Sequence, residues 1–122
     1  MILGVKGELP VECTVQELAA KLMGPGKEPR AILNFGKSKI KTVGIISGGA
    51  SEDVSDAIDE NLDCYITGEF EHQHFHLAKE MGINVIAAGH YKTETVGVSL
   101  VMEKVKTETG LECIFIDEPT GL

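Results

Sequence analysis

Strand-length apolar runs alternate along this chain with stretches whose apolar residues recur every three or four positions. The runs at 31–35, 40–46, 64–67 and 83–88, the second of them rich in β-branched residues, are bounded by glycine or polar positions, as strands are. Thr14 and Glu17 have the spacing of a capping box ahead of Leu18, Ala19, Leu22 and Met23, which predicts a helix over 15–23 stopped by Gly24-Pro25-Gly26. Val54, Ala57, Ile58 and Leu62 form an inward helical stripe behind the acidic start Glu52, Asp53 and Asp56. A further helix is predicted over 70–81, closed by Gly82 as a left-handed cap. A long helix runs from Thr93 through Lys106 to Gly110, and it takes His90 into its first turn if the strand before it stops at Gly89. The opening residues 1–10 hold two glycines and no helical period, so they read as an extended segment or edge strand ending at Pro10. Residues 111–116 read as a last strand.

Strands alternating with helices predict an α/β fold: a layered mixed sheet, mostly parallel in the centre, flanked by helices. The short turn at 36–38 predicts antiparallel pairing of 31–35 with 40–46 at an edge. A length of 122 residues suffices for one domain and one core. No apolar run is long enough to span a membrane, and no charged-then-apolar leader opens the chain, so a cytoplasmic location is expected. Cys13, Cys64 and Cys113 are odd in number and lack C-x-x-C spacing, which fits reduced, partly buried thiols. The formal net charge of −8 repels phosphate backbones, so nucleic acid is disfavoured as a partner.

Chemistry concentrates where the apolar run 83–88 ends at Gly89-His90. On a helix, His90 and Glu94 share one face. An imidazole beside a carboxylate at the carboxyl end of a strand suits a divalent metal, although a packing histidine beside a solvated glutamate has the same spacing. Thr67-Gly68-Glu69 ends another short strand, so in a parallel layer it stands on the same rim. Glu69 is then a candidate to orient His90 or to carry a proton, or it simply starts a helix with Thr67. Among His72, His74 and His76, the first and last share a helical face and are candidates to line the site, while His74 points elsewhere. Ser47-Gly48-Gly49-Ala50 forms a glycine-rich turn between strand and helix, where free N–H groups can meet an anion. It lacks the lysine of a P-loop, and a tight packing turn explains it equally well.

Together, Thr67-Gly68-Glu69, the Ser-Gly-Gly-Ala turn and 87–98, with Gly89-His90 and Thr93-Glu94 at its heart, resemble the dinuclear-metal-centre proteins of the YbgI and YqfO type. These are often labelled type 2 homologues of GTP cyclohydrolase I, or Ngg-interacting-factor-three-like. Gly4, Gly7 and Leu9 near the start and Phe115-Ile116-Asp117-x-Pro119 near the end extend the resemblance over nearly the whole chain. The resemblance implies that residues 1–122 correspond to the C-terminal lobe of a two-lobed fold. It implies that His90 and Glu94 are ligands of a pair of divalent metals (Zn, Fe or Mn), beside which Glu69, by its place on the rim, is the candidate acid–base or supporting group. The family's other ligands, two adjacent histidines and an aspartate, come from an earlier half absent here, so the site in this chain is incomplete. The implied function is part of a metal-dependent hydrolase acting on a small molecule. A non-catalytic oligomerising or regulatory module that has lost the metals is the alternative. The implied partners are further copies in a ring-like homo-oligomer, and a separate chain or N-terminal half that brings the missing ligands.

Overall fold

A computed structural model describes residues 3–121, so Met1 and Ile2 of the predicted opening segment, like Leu122, lie outside the described residues. The elements follow in the order β1 (Val5–Cys13), α1 (Val15–Met23), β2 (Ala31–Leu33), β3 (Ile40–Ile46), α2 (Val54–Asp59), β4 (Cys64–Thr67), α3 (Phe75–Met81), β5 (Asn84–Ala87) and α4 (His90–Thr109). The five strands form one mixed sheet in the order β1-β3-β4-β5-β2. Its centre, β3-β4-β5, is parallel, and each edge strand is antiparallel to its neighbour.

The two-residue side-chain period of the strands explains the layers. In β4, Cys64 and Ile66 face the cluster built on Val15, Leu18, Ala19 and Met23 of α1, while Tyr65 faces Val54 and Ala57 of α2 and Ala78 of α3. Every residue of β4 and β5 is buried, as parallel strands covered on both faces must be. The capping box at the start of α1 forms as predicted: the Thr14 hydroxyl accepts from the Glu17 N–H, and the Glu17 carboxylate accepts from the Thr14 N–H.

The edge pairing differs from expectation. β2 does not form a hairpin with β3; it crosses to the far edge and pairs with β5, because β3 already has β1 on one side and β4 on the other. Asn84, fully buried at the start of β5, pins the crossing link: its Oδ1 accepts from the Gly36 N–H at 3.0 Å, and its Nδ2 donates to the carbonyls of Lys37 and Asp63. Asn84→Ala removes all three bonds of this fully buried side chain, and is expected to lower unfolding free energy by about 2 kcal/mol in denaturant titration.

Three other boundaries move. β1 continues beyond Pro10 to Cys13; the register shifts between Glu8 and Cys13, so the missing proline N–H interrupts no regular ladder. The predicted helix over 70–81 begins as a 3-10 turn, His72–His74, with α3 starting only at Phe75. Residues 111–116 are not a strand. Gly110 ends a 20-residue helix that extends ~30 Å from its start. The segment after it is tied back to the first turn of α4, where the Tyr91 hydroxyl donates to Asp117 and accepts from the Glu118 N–H. The segment then reaches Arg30 beside β2, whose guanidinium donates to the Gly121 carbonyl, yet it pairs with no strand among the described residues, and Ile114 and Ile116 are about four-fifths exposed.

Candidate functional site

The parallel centre aligns the carboxyl ends of β3, β4 and β5 along one rim. From them emerge the turn at 47–51, Gly68-Glu69 and Gly89-His90. These three connections are stitched together by backbone: the Gly48 carbonyl accepts from the N–H groups of Gly68 and Glu69 at 3.0 Å each, and the Gly68 carbonyl accepts from Gly89 at 2.8 Å. The predicted juxtaposition of Thr67-Gly68-Glu69 with Gly89-His90 is therefore present.

With Gly89 at its N-cap, α4 includes His90 in its first turn and carries Glu94 one turn later on the same face. The His90 ring lies between two carboxylates. Nδ1 is 3.1 Å from Glu69 Oε1, and Nε2 is 3.4 Å from Glu94 Oε1. A neutral imidazole has one N–H and one lone pair. Each ring nitrogen thus has a carboxylate oxygen at ion-pair distance, Glu69 on the Nδ1 side and Glu94 on the Nε2 side. The two carboxylates beside the ring place acceptor oxygens on both of its sides, which suits a cation. All three side chains are partly open to solvent, so an ion has access.

The donors suit a divalent ion in kind, since imidazole nitrogen and carboxylate oxygen are its ordinary protein ligands. They fall short in number. Among the described residues, no three His, Cys, Asp or Glu side chains form a metal-holding group. Glu69 and Glu94 approach different nitrogens of the one ring, so only His90 Nε2 and Glu94 are placed to share an ion.

The glycine-rich turn lies directly on this pair. A methyl group built on Gly48 would stand 2.6 Å from Glu94 Oε1 and 3.3 Å from His90 Nε2, and one on Gly49 would stand 3.5 Å from Glu69 Oε2. Ser47 and Gly49 are exposed, while Gly48 and Ala50 are buried. The Gly48 N–H is already given to Thr93 Oγ1 at 2.9 Å, and the Ala50 carbonyl accepts from the Tyr65 hydroxyl at 2.6 Å. Thr67 is fully buried beneath the turn, with its hydroxyl donating to the Gly48 carbonyl at 3.3 Å.

The histidines after β4 sort differently from their predicted pattern. His72 belongs to the 3-10 turn and His76 to α3, so they do not share one continuous α-helical face. Both are exposed, and among the described residues neither hydrogen-bonds to His90, Glu69 or Glu94. His74 is the engaged one: its Nδ1 lies 2.8 Å from Ser51 Oγ, which also accepts from the Glu71 N–H. Ser51 and Thr93 thus serve the rim although no spacing marks them as partners. Thr93 is marked in the sequence by its place one turn after Gly89 and by the 87–98 motif it belongs to, but neither points to Gly48 as its partner.

A surface cleft of about 330 Å³ adjoins Glu69, lined by Arg30, Ala31, Gly68, Phe70 and Ala87. Cys13, Cys64 and Cys113 are unpaired, and burial pushes the Cys64 thiol up to about 12. Among the described residues, no helix is long and apolar enough to cross a membrane.

Comparison with known proteins identifies the chain's relatives. A protein from Treponema pallidum named GTP cyclohydrolase 1 type 2 homolog is 46% identical over 109 residues, covering 89% of this chain and 38% of the relative. One of the same name from Archaeoglobus fulgidus is 40% identical over 120 residues, covering 98% of this chain and 47% of the relative. The solved structure of protein ybgI, described as of unknown function, superposes with a TM-score of 0.87 at 32% identity, covering 97% of this chain and 48% of the other. The chain thus spans about half the length, or less, of the relatives it matches. The family model for Duf34/NIF3 matches residues 1–121, and this chain belongs to that family, Duf34/NIF3 (NGG1p interacting factor 3).

Proposed function

We propose that this domain supplies two ligands, His90 and Glu94, to a divalent-metal site of a hydrolase acting on a small molecule. The carrying observation is the His90 ring held between Glu69 and Glu94 at the carboxyl-end rim of the sheet. The donor set accommodates Zn, Fe or Mn. A divalent metal, when bound, supplies Lewis acidity and a water ionised at roughly neutral pH. The chain's own residues supply placement. Glu69 stands 3.1 Å from Nδ1, on the side of the ring away from Glu94, and its carboxylate borders the cleft, where it can take or return a proton at a bound molecule. The cleft is near the small end of ordinary ligand sites, which favours a compact substrate. The printed name of the relatives motivates a nucleotide as the first substrate to assay.

Two donors hold an ion weakly, so the remaining ligands belong to other protein: a second half of relative length, or another chain. The exposed apolar residues of α4 support such a partner. Val96 and Leu100 lie on one side of the helix and Val98, Val101 and Val105 on the other, and none is buried. A helix apolar on both sides is normally covered on both. The same observation favours the second reading, an oligomerising module, and a ring of copies is the assembly that would cover it. Unpaired cysteines agree with a cytoplasmic setting.

Titration of chelator-treated protein with Zn²⁺ by calorimetry tests the first reading. Saturable binding that weakens about tenfold or more in His90→Ala is expected. Equal binding by both proteins overturns it, and a chain that ignores Zn²⁺ yet forms defined oligomers in ultracentrifugation supports the second reading.

A further inference from the structure

We infer that Thr93 is a positioning residue whose hydroxyl fastens the Gly48 turn to the first turn of α4 and so fixes the His90 ring and Glu94 against that turn. The inference rests on the metal reading for its functional meaning, and on hydrogen bonds and packing for its substance. Thr93 Oγ1 accepts from the Gly48 N–H at 2.9 Å and is 3.0 Å from the carbonyls of both Gly89 and His90, to either of which its single O–H can donate. One hydroxyl therefore joins the loop after β3 to the residue that carries the imidazole.

The space around this joint is already filled. A methyl on Gly68 would stand 2.6 Å from the Gly48 carbonyl oxygen, 2.7 Å from Thr93 Oγ1 and 2.8 Å from the His90 Cα. The loops after β3 and β4 and the start of α4 meet there at backbone contact, so a displacement of one moves the others. Gly48 is buried, and its N–H has this hydroxyl as partner, so removal of the oxygen leaves a donor to be satisfied by water or by movement of the turn. Movement of the turn releases the face on which His90 Nε2 and Glu94 Oε1 rest. Among the described residues, Thr93 makes no hydrogen bond to the His90 ring, Glu69 or Glu94, so its effect on them passes through the turn and the helix backbone.

The test compares Thr93→Val, nearly isosteric but without the hydroxyl, with Thr93→Ser, which keeps it. Three readouts are taken: Gly48 amide exchange, His90 ring-nitrogen NMR shifts in metal-free protein, and Zn²⁺ affinity. In Thr93→Val, Gly48 exchange should rise about tenfold or more and the ring shifts should move. Its Zn²⁺ affinity should fall about tenfold, the scale of losing a group that supports a ligand. Thr93→Ser should stay near wild type in all three. Thr93→Ala carries the same comparison if valine is not accommodated. Unchanged exchange and ring shifts in the hydroxyl-free variants overturn the inference, as does a moved ring with unchanged Zn²⁺ affinity. A wild-type chain that binds no Zn²⁺ removes the metal reading alone, because exchange and ring shifts still decide the role of Thr93.

Discussion

Gly48→Ala is expected to weaken Zn²⁺ binding by roughly a hundredfold, the upper end of what disturbing a metal's supporting shell costs, while the domain stays folded. The two effects separate because the added methyl meets different things. Gly48 has φ +73°, a conformation that costs an L-residue about 1–2 kcal/mol, and this sets the stability loss. The methyl itself points at the site, 2.6 Å from Glu94 Oε1, 3.3 Å from His90 Nε2 and 3.4 Å from Glu94 Cδ. Glu94 is more than half exposed and can swing its carboxylate into solvent at little cost. The fold thus absorbs the methyl by giving up the one carboxylate placed to share an ion with His90. Gly49→Ala is the internal control. Its φ is not positive, and its methyl would be in ordinary contact with Glu69 and the ring at 3.5 Å. Calorimetric Zn²⁺ titration with parallel thermal melts checks both variants. Wild-type affinity in a folded Gly48→Ala protein would mean that no ion sits between Nε2 and Glu94.

The difference between these adjacent glycines also shows which parts of the molecule were legible in the sequence. The His90–Glu94 pairing depends only on helical spacing, and the stacking of Thr67-Gly68-Glu69 beside Gly89-His90 depends only on two parallel strands ending together. Both are local rules applied to short runs, and both hold. The side on which β2 pairs is not local. It depends on β1 and β4 occupying both edges of β3, and on Asn84, a lone polar residue inside the run 83–88 whose partners lie 21 to 48 positions away. Residues 111–116 have strand composition, but the sequence could not show that they follow a 20-residue helix and are tied back to its first turn through Tyr91 and Asp117. Ser51 is an ordinary polar residue before a helix, and Thr93, though part of the 87–98 motif, carries no sign of what it bonds. Their partners, His74 and Gly48, lie 23 and 45 positions away, and only the closed sheet brings them together.

At the opposite end of β4, Asp63→Ala is expected to lower unfolding free energy by about 3 kcal/mol at neutral pH while leaving Zn²⁺ affinity of the folded protein unchanged. Asp63 immediately precedes β4, and its carboxylate is buried. Oδ2 accepts from the N–H groups of Lys41 and Thr42 at 2.9 Å each, and Oδ1 is 2.5 Å from Lys37 Nζ. Alanine strands two backbone donors at the start of β3, whereas Lys37, mostly exposed, returns to water. Burial alone would raise the Asp63 pKa. The Lys37 ammonium and the hydrogen bonds from Thr42 and Lys41 overcome it and hold the carboxyl at about 2 against an ordinary 3.8. Because the folded value is the lower one, the stabilisation is complete above the unfolded value and is lost as pH falls through 3.8 toward 2. Wild type should therefore lose about 2 kcal/mol through this group over that interval, and Asp63→Asn should remove this group's share of the decline. Denaturant titrations at neutral pH and at either end of the acid interval read both effects. A wild-type acid slope that Asp63→Asn leaves intact would assign it to other carboxylates. Paired with Gly48→Ala, the experiment separates the two rims: one variant loses the ion and largely keeps the fold, and the other loses stability and keeps the ion.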